Sequence, residues 1–136
     1  MDKKKIMVVD DDKDFLEELK EVLESAGYDV VGLSESASAQ ATATLIKPDV
    51  IVLDLRMPMM SGFEVASALR TLIDTRHIPI IAMTGFYTVE EKSFLMNFCA
   101  IKKCLKKPFN PLDIIKEIEW ALGEDRRKNK IDTAGG

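Results

Sequence analysis

Thiols, imidazoles, long apolar runs and excess positive charge are all scarce in this chain. The sequence holds two cysteines, one histidine and one tryptophan. Cys99 and Cys104 make no metal-ligand spacing and no disulfide framework, so they read as reduced thiols. The single histidine, His77, could be cast as a phosphotransfer residue, but it falls in a loop before Pro79, away from the strand ends, where a solvated side chain is expected. No apolar stretch is long enough to cross a bilayer. The Lys3–Lys5 run precedes only Ile6–Val9 before charge returns, too short for a signal-peptide core, and a cytoplasmic location is expected. Lysine and arginine number 19 against 23 aspartates and glutamates, a net charge of −4. That balance argues against nucleic acid as a direct partner, and the basic cluster Arg126–Lys130 reads as a solvated helix end. What remains is ordinary: 136 residues, 46% hydrophobic and 31% charged, enough for one domain with a real core.

Apolar runs and amphipathic stretches alternate along the chain. Ile6–Val9 reads as a buried strand. Asp14–Ala26 follows as a helix with Phe15, Leu19, Val22, Leu23 and Ala26 on one stripe, closed by Gly27. Tyr28–Leu33 is a second strand, and Ala37–Ile46 a small-residue helix that stops before Pro48. Val50–Leu53 is unbroken aliphatic, as in a strand covered on both faces. A helix over about 63–73 and a strand at Ile80–Met83 come next. Thr88 with Glu91 makes a capping box for a helix to about Phe98. Ile101–Leu105 is a weaker fifth strand, interrupted by Lys102 and Lys103. Asn110-Pro111 starts a last helix with Ile114, Ile115, Ile118, Ala121 and Leu122 inward. Five βα units of this kind imply a parallel sheet with helices on both faces. One domain over residues 1–124 is expected, with 125–136 as a frayed tail that lacks an apolar period.

In open α/β sheets, ligands bind beyond the carboxyl ends of the strands. The first strand ends in Asp10-Asp11-Asp12, the third in Asp54, the fourth in Met83-Thr84-Gly85, and the fifth leads to Lys106-Lys107-Pro108. If strands one and three are neighbours, at least three carboxylates share one shallow pocket. Such crowding raises a carboxylate pKa unless a cation relieves it. Oxygen-rich sites of this type suit Mg²⁺, which bridges carboxylates to phosphoryl groups. Thr84 and Lys107 supply a hydroxyl and an ammonium for phosphoryl oxygens, and Asp54 stands as the candidate nucleophile.

VVDDD, LDLRMPMMSG, MTG and KKPF, in that order at successive strand ends, resemble the receiver domain of bacterial two-component response regulators over about residues 4–123. The resemblance implies a flavodoxin-like, doubly wound five-stranded parallel sheet of order 2-1-3-4-5 with five helices. It implies phosphoryl transfer to Asp54 from a sensor histidine kinase or phosphotransfer protein. Asp11 would hold Mg²⁺ directly and Asp10 mainly through water, with the Arg56 carbonyl as a further ligand; Thr84 and Lys107 would grip the phosphoryl oxygens. It also implies a cis bond before Pro108. Asp12 lies outside this ligand pattern and reads as a helix N-terminal acid.

The chain departs from that family at Cys104, where an aromatic switch residue is usual, and at Ser61, where an aspartate is. Arg56 and Phe86 occupy the positions that flank the route of hydrolytic water; a long cation and a bulky ring there imply a long-lived phosphoryl group. Trp120 falls on the outward face of the last helix. With Phe94 and Lys102 it makes a candidate surface for a second copy or an effector, across the last two helices. Two other readings stand beside the receiver: an interaction module that works without phosphorylation, favoured by Cys104, and a small Mg²⁺-dependent phosphatase, disfavoured by the lack of a substrate-enclosing cap.

Overall fold

The computed structural model describes residues 3–85, 88–90, 93, 97 and 101–135, with the side chains of 102 and 124–135 excepted. The elements in chain order are β1 (Lys5–Val9), α1 (Lys13–Ser25), β2 (Asp29–Leu33), a 3₁₀ turn (Ser36–Ser38) and α2 (Ala39–Ile46). Then come β3 (Val50–Asp54), α3 (Gly62–Thr71), β4 (Ile80–Thr84), β5 (Ile101–Lys106) and α4 (Pro111–Gly135). All five strands are parallel and lie in the order 2-1-3-4-5.

Strand period divides the core in two. Met7, Val9, Ile51, Leu53, Ile80 and Ala82 point to α2 and α3, while Ile6, Val8, Val50, Val52, Ile81 and Met83 point to α1 and α4. Both faces of β1, β3 and β4 are thus covered, which is why their sequences are aliphatic without alternation. Charge at the carboxyl ends of β1 and β3 therefore meets in the crevice where the strand order reverses between them.

Helix ends follow local chemistry. Asp12 caps α1 by accepting the Phe15 N–H at 3.2 Å. Gly27 ends it at φ 99°, with the Tyr28 N–H returning to the Leu23 carbonyl at 3.1 Å. Ser61, noted above only as a departure from the family's aspartate, caps α3 in a capping box with Glu64. Asn110 accepts the Leu112 N–H at 2.9 Å where α4 begins.

One expected helix is described only in part, and another runs longer than expected. Of the helix expected from Thr88 to about Phe98, only Thr88, Val89, Glu90, Ser93 and Asn97 are described, the last four helical, so four bounded α-helices are described where five were expected. The capping partner Glu91 lies outside the described residues. Helix α4 runs on to Gly135, through the stretch expected to fray; the arginines and lysines of that stretch have high helix propensity, which continues a helix without an apolar face.

Strand β5 is irregular. Ile80 pairs with Ile101 but Ile81 pairs with Lys103, so Lys102 is a bulge residue. The extra residue resets the alternation: Ile101 and Cys104 both face the α2/α3 core, and Leu105 faces α1 and α4. Lys103 thereby turns toward α4, with its ammonium 5.0 Å from the ring centroid of Trp120. The two lysines that made this strand look weak are accommodated by that bulge.

Candidate functional site

Asp10 follows directly on β1 and is fully buried. Its Oδ1 accepts the Asp12 N–H at 2.9 Å, and its Oδ2 accepts the Lys107 ammonium at 2.8 Å. Asp11 stands exposed beside it. Asp54 closes β3, also buried; its Oδ1 accepts the Arg56 N–H at 3.3 Å, and its Oδ2 lies 3.8 Å from Lys107 Nζ. Oxygens of Asp10, Asp11 and Asp54 all lie within 4.8 Å of one another. The conditional reading of neighbouring strands thus holds, and the three carboxylates converge.

Asp54 feels the crowding most. Burial, then the Asp10 charge, pushes its carboxyl up to about 6, with a further push from Asp11; Lys107 and the Arg56 N–H pull the other way without cancelling it. One ammonium does not neutralise three acids. The donor set is all carboxylate oxygen, the spacing closes on a small cation with modest side-chain adjustment, and Mg²⁺ is the ion this chemistry suits. The Asp12 carboxylate, turned to cap α1, is not among the three; only its backbone N–H reaches the site, at Asp10.

The backbone that presents Asp54 needs a glycine. A Cβ on Gly62 would lie 2.2 Å from the Asp54 carbonyl oxygen and 2.6 Å from Leu55 Cα, so α3 begins in backbone contact with the end of β3. Between them the loop passes through Met59 at φ 69°, a left-handed conformation uncommon for a long side chain, which leaves Met59 almost wholly exposed. On the other side, the Lys107 N–H donates to the Thr84 carbonyl at 2.6 Å, which ties the start of the Lys107 loop to the end of β4. Thr84 is buried there, and the Lys107–Pro108 bond is cis.

The remaining expectations divide. Arg56 is exposed, with its guanidinium 5.7 Å over the Phe63 ring on the α3 side. Cys104 is half-buried on the α2/α3 core. Trp120 is 40% exposed, so it does face outward, and Lys103 is what the fold brings to its ring. Phe86, Phe94 and Cys99 lie outside the described residues, as does the Lys102 side chain. His77 is exposed in the loop before β4, at the far end of the sheet. One neighbour of the site was read only as core: Phe15, whose ring centroid is 4.3 Å from Lys107 Nζ. Its place in the first turn after the acidic run was the available signal.

With that geometry, comparison with known proteins is informative. Residues 6–119 match the response regulator receiver domain family, and the chain belongs to it. It is 31% identical over 131 residues to the DNA-binding dual master transcriptional regulator RpaA of Synechocystis, spanning 96% of this chain but only 52% of that one. The polar-differentiation response regulator DivK of Brucella anthropi is 29% identical over 122 residues, 89% of this chain and 98% of its own. Thus the chain spans about half the length of some curated relatives and nearly all of others. Among solved structures, the chemotaxis protein CheY4 of Vibrio cholerae superposes with a TM-score of 0.83 at 30% identity, over 89% of this chain and 100% of that one. Receiver domains are signalling modules of two-component systems, partnered by histidine kinases and phosphotransfer proteins, and they bind Mg²⁺ at an acidic site. Among the described residues, no helix is long and apolar enough to cross a membrane.

Proposed function

We propose that Asp54 is the phosphoacceptor of a phosphorelay, taking a phosphoryl group from the histidine of a sensor kinase or phosphotransfer protein. The observation that carries this is the convergence of Asp10, Asp11 and Lys107 on a buried carboxylate at the end of β3. An Asp54 oxygen attacks phosphorus, the P–N bond breaks, and its electron pair goes to the leaving imidazole nitrogen, the ring departing neutral with the proton its other nitrogen already carries. Lys107 and Thr84 hold the phosphoryl oxygens, as the family match implies. Asp10, Asp11, Asp54 and the Arg56 carbonyl would hold Mg²⁺, which when bound would supply positive charge to offset that of the phosphoryl oxygens. Near neutral pH an Asp54 carboxyl poised at about 6 is mostly ionised, as a nucleophile must be.

Intact mass after incubation with acetyl phosphate tests this. One added phosphoryl group is expected, lost in Asp54→Asn and in chelator. No adduct, under conditions that label a control receiver and with a histidine-phosphorylated donor also failing, would leave the phosphorylation-independent module as the better reading. In the same assay, the adduct of an Arg56→Asn, Phe86→Ala double variant is expected to decay faster than that of the wild type. A surface around Trp120 for a second copy is a further part of this reading. Sedimentation of wild type and Trp120→Ala, each with and without beryllofluoride, checks it; identical monomers throughout would remove the homodimer.

A further inference from the structure

Lysine carries its charge on a flexible four-carbon stem, so an ammonium that must sit at one point in a pocket needs restraint beyond its ion pairs. Lys107 has it. Its N–H is tied to the Thr84 carbonyl, its ammonium bonds Asp10 at 2.8 Å and approaches Asp54 at 3.8 Å, and its third side is closed by the Phe15 ring at 4.3 Å. Phe15 is itself held. The Phe109 ring meets it edge-on, 6.0 Å between centroids at 87°, and both are half-buried against the α1/α4 core. The Asp12 cap fixes the turn from which Phe15 projects.

An aromatic face is chemically apt here. It attracts a cation through its quadrupole and carries no net charge. A fourth carboxylate would restrain Lys107 equally well, but it would repel the incoming phosphoryl group and compete for the ammonium. A water molecule would do neither, and would leave the stem free. We propose that Phe15 is a positioning residue for Lys107: its ring, braced by Phe109, keeps the ammonium over the carboxylate pair, where it meets the transferring phosphoryl oxygens. This rests on the reading of Asp54 as phosphoacceptor.

The test compares Phe15→Leu and Phe15→Met, which keep an apolar side chain, with Phe15→Trp, which keeps the π face. Acetyl phosphate is the donor and Mg²⁺ is saturating. The rate of labelling at saturating donor is expected to fall about 3- to 10-fold in the Leu and Met variants and to recover in the Trp variant. The donor concentration for half-maximal rate should change little. A spectroscopic signature accompanies it: the Lys107 side-chain protons, resolved by NMR, are ring-current shifted in wild type and Phe15→Trp and return to ordinary positions in the other two. Labelling of Leu and Met variants at the wild-type rate, or loss of rate in all three variants alike, overturns the proposal. If wild type itself takes no phosphoryl group, the phosphoacceptor reading has failed and this one falls with it. A labelled wild type with an indifferent Phe15→Leu sinks only the role of Phe15.

Discussion

Strands β3 and β5 both deliver a reactive side chain to the same pocket, and they are built in opposite ways. β3 is five residues, all buried, in unbroken register with a strand on each side, and it ends in Asp54. β5 lies at the edge of the sheet, carries lysines at three of six positions, and is bulged at Lys102. Asp54 is thus mounted on a fully buried, regular strand, and its counter-ion beside a bulged one. Rigid backbone leaves Asp54 no way to escape crowding except by binding a proton or a cation. The β5 side keeps its ammonium in place with side-chain contacts instead, from Asp10 and from the Phe15 ring.

Three measurements would break or sharpen that contrast. The largest effect is expected at Gly62. An alanine there drives a Cβ into the backbone of Asp54 and Leu55, which a central strand cannot yield to. Gly62→Ala should cost about 3 kcal/mol and lower Tm by roughly 10 °C, read by thermal unfolding. A near-wild-type Tm would mean the end of β3 is softer than its burial implies.

Next is Asp54→Asn. The folded carboxyl sits at about 6 against an ordinary 3.8, so the folded state holds this proton more tightly than the unfolded one. Ionisation therefore costs stability, with a penalty that grows as pH rises from about 4 to 6 and is full above that. Without metal, Asp54→Asn should be more stable than wild type by about 2 kcal/mol at pH 8, the gain shrinking toward pH 4. Mg²⁺ should narrow the gap at pH 8. Urea unfolding across pH checks this, and a pH-independent difference would refute the crowding argument.

The smallest effect belongs to the edge strand. Lys103→Gln removes the ammonium from the Trp120 face and should cost about 0.5 kcal/mol. Trp120 is the sole tryptophan, so its fluorescence reports the change directly. An unchanged emission maximum would mean the ring and the lysine are not in contact in solution.

Most of the architecture was legible because the signals were local and redundant. Aliphatic runs marked the covered strands, Gly27 and Asn110 marked helix ends, and acids at two strand ends pointed to the crevice. Ser61 was equally legible in its spacing to Glu64 and was passed over in favour of family comparison. The reach of α4 has a different source: absence of an apolar face removes packing, but not the backbone preference of arginine and lysine.

By itself, then, the sequence determined the parallel sheet, the inward faces of its helices and the residues at the strand ends. Those follow from periodicity and capping, which act over a few residues. Tertiary structure alone decided two things. It brought the Lys103 ammonium to the Trp120 ring through one bulge, and Phe15 against Lys107 across 92 positions of chain. Each depends on how a side chain from one element meets another in space, and no pattern along the chain encodes that distance.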